Sequence, residues 1–136
     1  AEVAPVRAVG VRSYSRDEAQ RIREGIAGYR ITHAWEMDAD DWVEMVVEGL
    51  EGRPVYLTID VDYFDPSVIP ATGTPEPGGA GWRQTLLLLE RLFRVSRVVC
   101  CDVVELAPRP GLHHADFTVA RLVYKLIAHA CGGGPR

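Results

Sequence analysis

Residues 55–59 read Val-Tyr-Leu-Thr-Ile, and residues 60–65 continue Asp-Val-Asp-Tyr-Phe-Asp. The first run is rich in β-branched and apolar residues, which is typical of a parallel strand covered on both faces by helices. Three carboxylates follow within the next six residues, at the point where such a strand ends. This stretch therefore predicts a buried parallel strand with an acidic carboxyl end.

Strand-like and helix-like segments alternate on both sides of this stretch. Four runs share the apolar, β-rich composition of strands: 6–11, 29–35, 55–59 and 98–104. Helical spacing of apolar residues predicts four helices: one opening after Ser15, one opening after Asp38, and the stretches 82–93 and 116–129. The alternation favours an α/β fold of three layers (αβα), with a mainly parallel sheet between helices.

Particular residues set the expected helix ends and faces. Ser15 and Glu18 have the spacing of a capping box, and Asp38 is a candidate N-cap for the second helix. The unbroken leucines at 86–89 predict that the third helix is largely buried. Residues of the last helix divide into an apolar side and a polar stripe, listed as Phe117, Ala120, Tyr124 and Ile127 against Arg121, Lys125 and His129. We expect His129 to be solvated.

Composition narrows the classes of partner. The 136 residues are 47% hydrophobic and 25% charged, the balance of an ordinary globular domain. The formal net charge of −4 argues against nucleic acid or an anionic membrane as partner, because both usually require a basic surface. No apolar run is long enough to cross a bilayer, and no signal-peptide pattern opens the chain.

The three cysteines do not have the pattern of a disulfide framework. Cys100 and Cys101 are adjacent in an apolar stretch, so we interpret them as small buried hydrophobic residues in a reducing compartment. Together with the absence of a targeting pattern, this indicates a cytoplasmic protein.

Asp60 and Asp62 are the sharpest candidates for a metal site. Residues i and i+2 of an extended strand point the same way, and two converging carboxylates repel each other unless a cation lies between them. Their hard oxygens suit Mg, Mn or Ca. Simple capping of the following turn explains the same residues and stays open here. An EF-hand loop is excluded, since Phe64, Asp65 and Ala71 occupy positions where it needs other residues.

Two further features could contribute to a site. Residues 70–79 mix prolines, which stiffen a free loop, with glycines, which let the backbone approach a ligand; a stiff surface connection is the alternative. Glu105 follows the last strand, where its carboxylate could bind a cationic group or form a surface ion pair. His33 and the pair His113-His114, placed in a loop, receive no specific role.

Residues 60–79, Asp-Val-Asp-Tyr-Phe-Asp-Pro-Ser-Val-Ile-Pro-Ala-Thr-Gly-Thr-Pro-Glu-Pro-Gly-Gly, resemble the signature of the ureohydrolases, the arginase and agmatinase family. Residues 102–108, Asp-Val-Val-Glu-Leu-Ala-Pro, resemble a second block of that family, and Asp116-Phe-Thr with the last helix is also similar. The resemblance covers residues 1–131 as the C-terminal portion of a single domain with an arginase-like fold. Residues 132–136 are expected to form a disordered tail.

The resemblance implies hydrolysis of a small cationic guanidino compound to urea and an amine by a hydroxide that bridges two Mn(II) ions. It implies that Asp60 bridges both metals and that Asp62 ligates one. It further implies that Glu105 binds the substrate guanidinium and that Thr74 lines the substrate cleft. Asp65 is expected to support the loop, and assembly as a trimer or hexamer is implied for the full-length enzyme.

The chain also departs from the family pattern. The Gly-Gly-Asp-His and Asp-Ala-His-x-Asp blocks that bear further metal ligands are absent, and the catalytic histidine has no matching position. No catalytic residue is therefore assigned. We expect an N-terminally truncated fragment that is inactive alone, with a non-catalytic ureohydrolase-like subunit as the alternative.

The residues next to Glu105 bear on the substrate. Leu106-Ala107-Pro108 is more similar to agmatinases than to arginases, whereas Ala71 is closer to arginases. The sequence therefore predicts hydrolysis of agmatine to putrescine and urea, a reaction of polyamine biosynthesis. Arginase and guanidinobutyrase activities are the alternatives.

Overall fold

The computed structural model describes residues 4–132. Its strands are β1 (Val6–Val11), β2 (Tyr29–His33), β3 (Pro54–Asp60) and β4 (Arg97–Val104). Its α-helices are α1 (Arg16–Glu24), α2 (Trp42–Val47), α3 (Trp82–Val95) and α4 (His113–Cys131). Two 3-10 turns, at Ala34–Asp38 and Val61–Tyr63, follow β2 and β3. Residues 133–136 of the expected disordered tail lie outside the described residues.

The strands form two parallel pairs, β1 with β2 and β3 with β4. Residue Asp60 at the end of β3 lies opposite Val104 at the end of β4. Each pair is joined through a helix, as parallel pairing requires. The predicted α/β fold with parallel strands is confirmed, although within residues 4–132 no hydrogen-bonded ladder joins β1 to β3.

The main hydrophobic core lies between the β3–β4 pair and helices α3 and α4. Its largest fully buried side chains include Phe64, Ile69, Leu89 and Leu122. A smaller cluster of Met37, Trp42, Val46 and Ala80 anchors α2. Because Phe64, Ile69 and Ala80 belong to the loop after β3, that loop is built into both clusters.

The β3–β4 pair is covered on one face, so the expectation of two covered faces is wrong for the described chain. Val55, Leu57 and Ile59 alternate with the exposed side chains of Tyr56 and Thr58 along β3. On β4, Cys100 and Cys101 are both exposed, which corrects their assignment as buried residues. Helices α3 and α4 pack on the other face, and nothing in residues 4–132 covers this one.

Helix α4 also presents the face opposite to the one expected. Its core-facing residues are Ala115, Val119, Leu122 and Leu126. The expected apolar side is exposed instead, and Phe117 is 67% accessible. Both stripes have helical spacing, so periodicity alone does not decide which one meets the sheet. His129 is not simply solvated, because its ring stacks on Phe93 with centroids 5.2 Å apart.

Local capping is confirmed in one helix and wrong in another. The Ser15 hydroxyl accepts from Glu18 N at 3.2 Å, and the Glu18 carboxylate accepts from Ser15 N at 2.7 Å, completing the predicted capping box. Asp38 instead ends the 3-10 turn, and α2 begins four residues later at Trp42. Burial of Met37 pulls this turn into the core and shortens β2. Helix α3 is only half-buried, since Leu87 is exposed.

No helix among residues 4–132 combines the length and the apolar character that crossing a bilayer requires.

The two faces of α4 predict unequal costs of truncation. Leu122→Ala should lower the free energy of unfolding by about 2 to 5 kcal/mol, because it opens a cavity in the core. Phe117→Ala should change that free energy by less than about 0.5 kcal/mol, because its side chain is exposed. Urea denaturation followed by circular dichroism measures both. Equal costs for the two substitutions would contradict the observed orientation of α4.

Candidate functional site

The acidic pair lies at the carboxyl end of β3. The strand ends at Asp60 and passes directly into the 3-10 turn Val61–Tyr63, which carries Asp62. The Asp60 carboxylate accepts a hydrogen bond from Asp62 N at 2.9 Å, so Asp60 caps this turn. Capping uses one oxygen of Asp60, and it fixes the direction in which the next carboxylate leaves the backbone.

Asp62 is the more constrained of the two. Its Oδ2 accepts a hydrogen bond from the Thr74 hydroxyl at 2.5 Å. Its Oδ1 is buried and has no hydrogen-bond partner among the described residues. A buried carboxylate oxygen without a partner is costly, since its lost hydration is not replaced. Such an oxygen is suited to a cation.

Glu105 lies at the carboxyl end of the neighbouring strand. Asp60 pairs with Val104, the last residue of β4, so Glu105 follows one residue beyond the partner of Asp60. Its φ is 65°, the only positive value for a non-glycine residue in the described part of the chain. This conformation costs about 1 to 2 kcal/mol for a residue with a Cβ and is found often at functional sites. The side chain is exposed.

The loop between β3 and α3 is held against this edge. Ala107 N donates to the carbonyl of Ala71 at 2.9 Å, and Arg109 Nη2 donates to the carbonyl of Thr72 at 3.2 Å. These bonds tie the segment before Thr74 to the segment after Glu105. The loop therefore connects the ends of β3 and β4 a second time, beyond the strand pairing itself.

Asp65 organises the other side of this loop, which confirms the expectation that it supports the loop. Its carboxylate accepts from the hydroxyl of Ser67 at 2.6 Å and from the backbone N–H groups of Ser67 and Gly78 at 2.9 Å. These bonds lower the pKa of Asp65, the Ser67 hydroxyl having the largest effect. At Gly79 a Cβ would lie 2.5 Å from the Phe64 backbone, so the loop passes the end of the 3-10 turn closely enough to require glycine.

A polar cluster below the acidic pair reinforces the strand pairing. Asp102 lies opposite Thr58 and accepts hydrogen bonds from its hydroxyl, at 2.6 Å, and from the hydroxyl of Tyr56. The bonds from Thr58 and Tyr56 lower the pKa of Asp102, and the bond to Asp102 raises the pKa of Tyr56. All three side chains lie on the uncovered face of the β3–β4 pair. Thr58 is two residues and Tyr56 four residues before Asp60 on β3.

The histidines lie elsewhere in the fold. His33 is held by its own 3-10 turn: its Nδ1 is 2.9 Å from Glu36 Oε2, and its ring stacks on Trp35 at 4.3 Å. His113 and His114 are exposed in the first turn of α4, which corrects their placement in a loop. No group of three or more His, Cys, Asp or Glu residues capable of holding a metal occurs within residues 4–132.

Asp60 and Asp62 thus fit part of a divalent metal site. Carboxylate oxygens are the hard donors that Mn and Mg prefer, and the buried Oδ1 of Asp62 is one such donor without a protein partner. Two carboxylates are fewer than the about six ligands that hard divalent cations usually take. Asp60 and Asp62 alone would therefore be an incomplete ligand set for such a cation.

Sequence reasoning missed Arg12, which lies directly after β1 and contacts the acidic turn. Its guanidinium donates to the carbonyl oxygens of Asp62 and Tyr63, the latter at 3.0 Å. The one available signal is its position, directly after β1, at the edge where strand ends collect.

These features define a class of protein: a parallel α/β fold whose carboxylates collect at the carboxyl ends of neighbouring strands, where such sheets bind ligands. A model of the arginase family matches residues 2–129. The chain therefore belongs to the arginase family. Residues 60–79 already showed a resemblance to this family in the sequence.

Individual relatives agree with this membership. The chain is 39% identical over 126 residues to the N(1)-aminopropylagmatine ureohydrolase of Synechocystis, covering 92% of this chain and 40% of that protein. It is 36% identical to the agmatinase of Pyrococcus horikoshii, covering 87% of this chain and 40% of the relative. The crystal structure of agmatine ureohydrolase from Thermoplasma volcanium superposes with a TM-score of 0.78 at 28% identity, over 92% of this chain and 42% of that one.

Coverage of the relatives is partial throughout. The chain spans 40–41% of the length of the N(1)-aminopropylagmatine ureohydrolases of Synechocystis and Thermus thermophilus. This agrees with the incomplete ligand set and with the uncovered face of the β3–β4 pair. The solved relatives have the same arrangement of helices and parallel strands, so the three-layer arginase fold applies to this chain as a part of that fold.

The positive φ at Glu105 predicts an unusual order of stability. Glu105→Gly and Glu105→Ala remove the same carboxylate, but only glycine adopts this conformation without strain. The glycine variant should be more stable than the alanine variant by about 1 kcal/mol in urea denaturation. An alanine variant as stable as the glycine variant would show that the backbone is not held in this conformation.

Proposed function

We propose that this chain forms the C-terminal part of an agmatinase-like ureohydrolase, in which Asp60 and Asp62 are ligands of a binuclear Mn(II) site. The proposal rests on the buried Oδ1 of Asp62, an anionic oxygen that no described residue satisfies. Capping of the turn by Asp60 and the hydrogen bond from Thr74 orient this oxygen before any metal arrives. Such preorganisation of ligands is what a tight metal site requires.

The proposed roles follow the family resemblance residue by residue. By this resemblance, Asp60 and Asp62 would both help to hold the metal ions. When bound, the ions lower the pKa of a water molecule and supply a hydroxide at neutral pH. Thr74 keeps one oxygen of Asp62 occupied, which leaves the other for the metal.

Glu105 is proposed to bind the guanidinium group of the substrate. A carboxylate and a guanidinium form two parallel charge-assisted hydrogen bonds, which fix both the position and the plane of the substrate. The strained backbone of Glu105, the pairing of β3 with β4 and the bond between Ala107 and Ala71 hold this carboxylate at the acidic edge. No residue of this chain is proposed as the proton donor to the leaving amine.

For the substrate, we propose agmatine, with urea and putrescine as products. Relatives named N(1)-aminopropylagmatine ureohydrolase are 34–42% identical, against 36% for an agmatinase and 33% for arginases, so N(1)-aminopropylagmatine is a second candidate substrate. Both substrates carry the same guanidino group, and both are cations that a chain of net charge −4 does not repel. Arginine and guanidinobutyrate are the less supported alternatives.

We further propose that these 136 residues do not form a working enzyme alone. Two carboxylates cannot hold two metal ions tightly, and the site needs ligands from a further segment. The complete protein would act in the cytoplasm in polyamine biosynthesis and assemble as a trimer or hexamer. The competing proposal, a non-catalytic ureohydrolase-like subunit, differs in having no segment that supplies the missing ligands.

Mn(II) binding tests the metal site. The chain should bind Mn(II) weakly, and Asp62→Asn should abolish that binding because it removes the charge while keeping the shape of the side chain. The matched control is Asp17→Asn, which makes the same change at an exposed position in α1. Electron paramagnetic resonance of free Mn(II) measures binding, and urea release from agmatine and from N(1)-aminopropylagmatine is assayed on the same samples.

Two outcomes would overturn parts of this proposal. Two tightly held Mn(II) ions per chain, with urea released, would show that the chain is complete. Equal Mn(II) affinity in the wild-type and Asp62→Asn chains would show that Asp62 is not a ligand. Weak binding that is lost in Asp62→Asn, without urea, is the expected result.

A further inference from the structure

Arg12 connects the two strand pairs at the acidic edge. It follows β1 directly, and its guanidinium reaches across to the 3-10 turn after β3. Nη1 donates to the carbonyl of Tyr63 at 3.0 Å, and Nη2 donates to the carbonyl of Asp62. A longer bond of 3.3 Å from Nη1 to the carbonyl of Gly10 holds the side chain against its own strand. Arg12 thereby binds the backbone of the residue that carries the proposed ligand.

A second contact from β1 supports the same turn. Gly10 has a φ of 78°, and a Cβ built there would lie 2.4 Å from the Tyr63 ring. The ring therefore packs directly on the bare backbone of β1. No hydrogen-bonded ladder joins β1 to β3 within residues 4–132. The ring of Tyr63 and the guanidinium of Arg12 make the contacts between the two strand pairs at this point instead.

The charged guanidinium of Arg12 binds the backbone of the acidic turn. Among the ion pairs of the described residues none involves Arg12, although its guanidinium is half-buried next to an acidic turn. Its planar fork instead binds successive carbonyls, Asp62 and Tyr63, and so fixes the orientation of the peptide between them. Asp62 is consequently held by Asp60, by Thr74 and by Arg12, which come from different segments.

We propose that Arg12 is a positioning residue for the metal ligand Asp62. It acts by holding the Asp62–Tyr63 peptide, and it touches neither the metal nor the substrate. This inference rests on the proposed metal site. It predicts that removing Arg12 weakens cation binding. Simple electrostatics predicts the opposite, because removing a nearby positive charge would by itself strengthen cation binding at the carboxylates.

The test is Mn(II) affinity in variants of the whole 136-residue chain, with Mn(II) alone as the probe. Arg12→Met keeps the aliphatic stem and removes the donors; it should weaken Mn(II) binding about tenfold, as loss of groups that orient metal ligands typically does. Arg12→Lys keeps the charge and one donor group and should recover part of the affinity. Arg16→Met, which removes the same charge at the exposed start of α1, should bind Mn(II) like the wild type.

The outcomes separate this inference from the metal site itself. Unchanged or stronger Mn(II) binding in Arg12→Met, with binding lost in Asp62→Asn, would overturn the role of Arg12 and leave the metal site standing. Binding that is insensitive to Asp62→Asn would instead overturn the metal site.

A measurement without metal covers the case in which the wild-type chain binds no Mn(II). Amide hydrogen exchange of Phe64, whose N–H donates to Val61 across the turn at 3.1 Å, should be faster in Arg12→Met and wild-type-like in Arg16→Met. Unchanged exchange in Arg12→Met would show that Arg12 does not hold the turn.

Discussion

Parallel pairing of β3 with β4 is the constraint on which the acidic edge depends. It places Asp60 opposite Val104 and so brings Glu105, one residue further, to the same end of the sheet. Burial of Ile59 under α3 and α4 keeps one face of the pair inward, and the hydroxyl groups that bind Asp102 hold the strands together on the other face. A slip of one residue would turn Asp60 toward the core and move it out of line with Val104 and Glu105.

The loop after β3 converts this strand geometry into a site. Phe64 and Ile69 are buried in the core, so the loop cannot leave the sheet edge without losing apolar contacts. Asp65 closes its far side, and the bond between Ala107 and Ala71 fastens it to the end of β4. Thr74 is then near enough to bind Asp62. Core packing and the orientation of the candidate ligand are parts of one arrangement.

The uncovered face, the unpaired strands and the small ligand set are all explained if this chain is part of a longer protein. Within residues 4–132, one face of the β3–β4 pair is uncovered, β1 and β3 are not paired with each other, and Asp60 and Asp62 are fewer ligands than the proposed metal site needs. The chain spans 40% of its Synechocystis relative. In a longer protein of this family, further segments would supply both the covering layer and the missing ligands. In the described part of the chain, Arg12 and the Tyr63 ring connect the two strand pairs at this edge.

Local patterns were enough to predict the parallel α/β fold and the acidic edge. The composition of 55–59 predicted strand β3, and the aspartates after it marked the strand end. The side of α4 that faces the sheet was not predictable, because Leu122 and Phe117 belong to two opposite stripes of equal spacing. Exposure of Cys100 was missed because apolar composition does not show which layer is absent. Arg12 was missed because its acceptors are backbone carbonyls 50 and 51 residues away.

The most direct test of the proposed metal site is an anomalous diffraction map, recorded at the manganese absorption edge, from crystals of the chain soaked in Mn(II). We expect a peak at the carboxyl end of β3 within bonding distance of the Asp62 Oδ1 and of the Asp60 carboxylate. A saturated crystal whose manganese peaks lie away from these two carboxylates would contradict it.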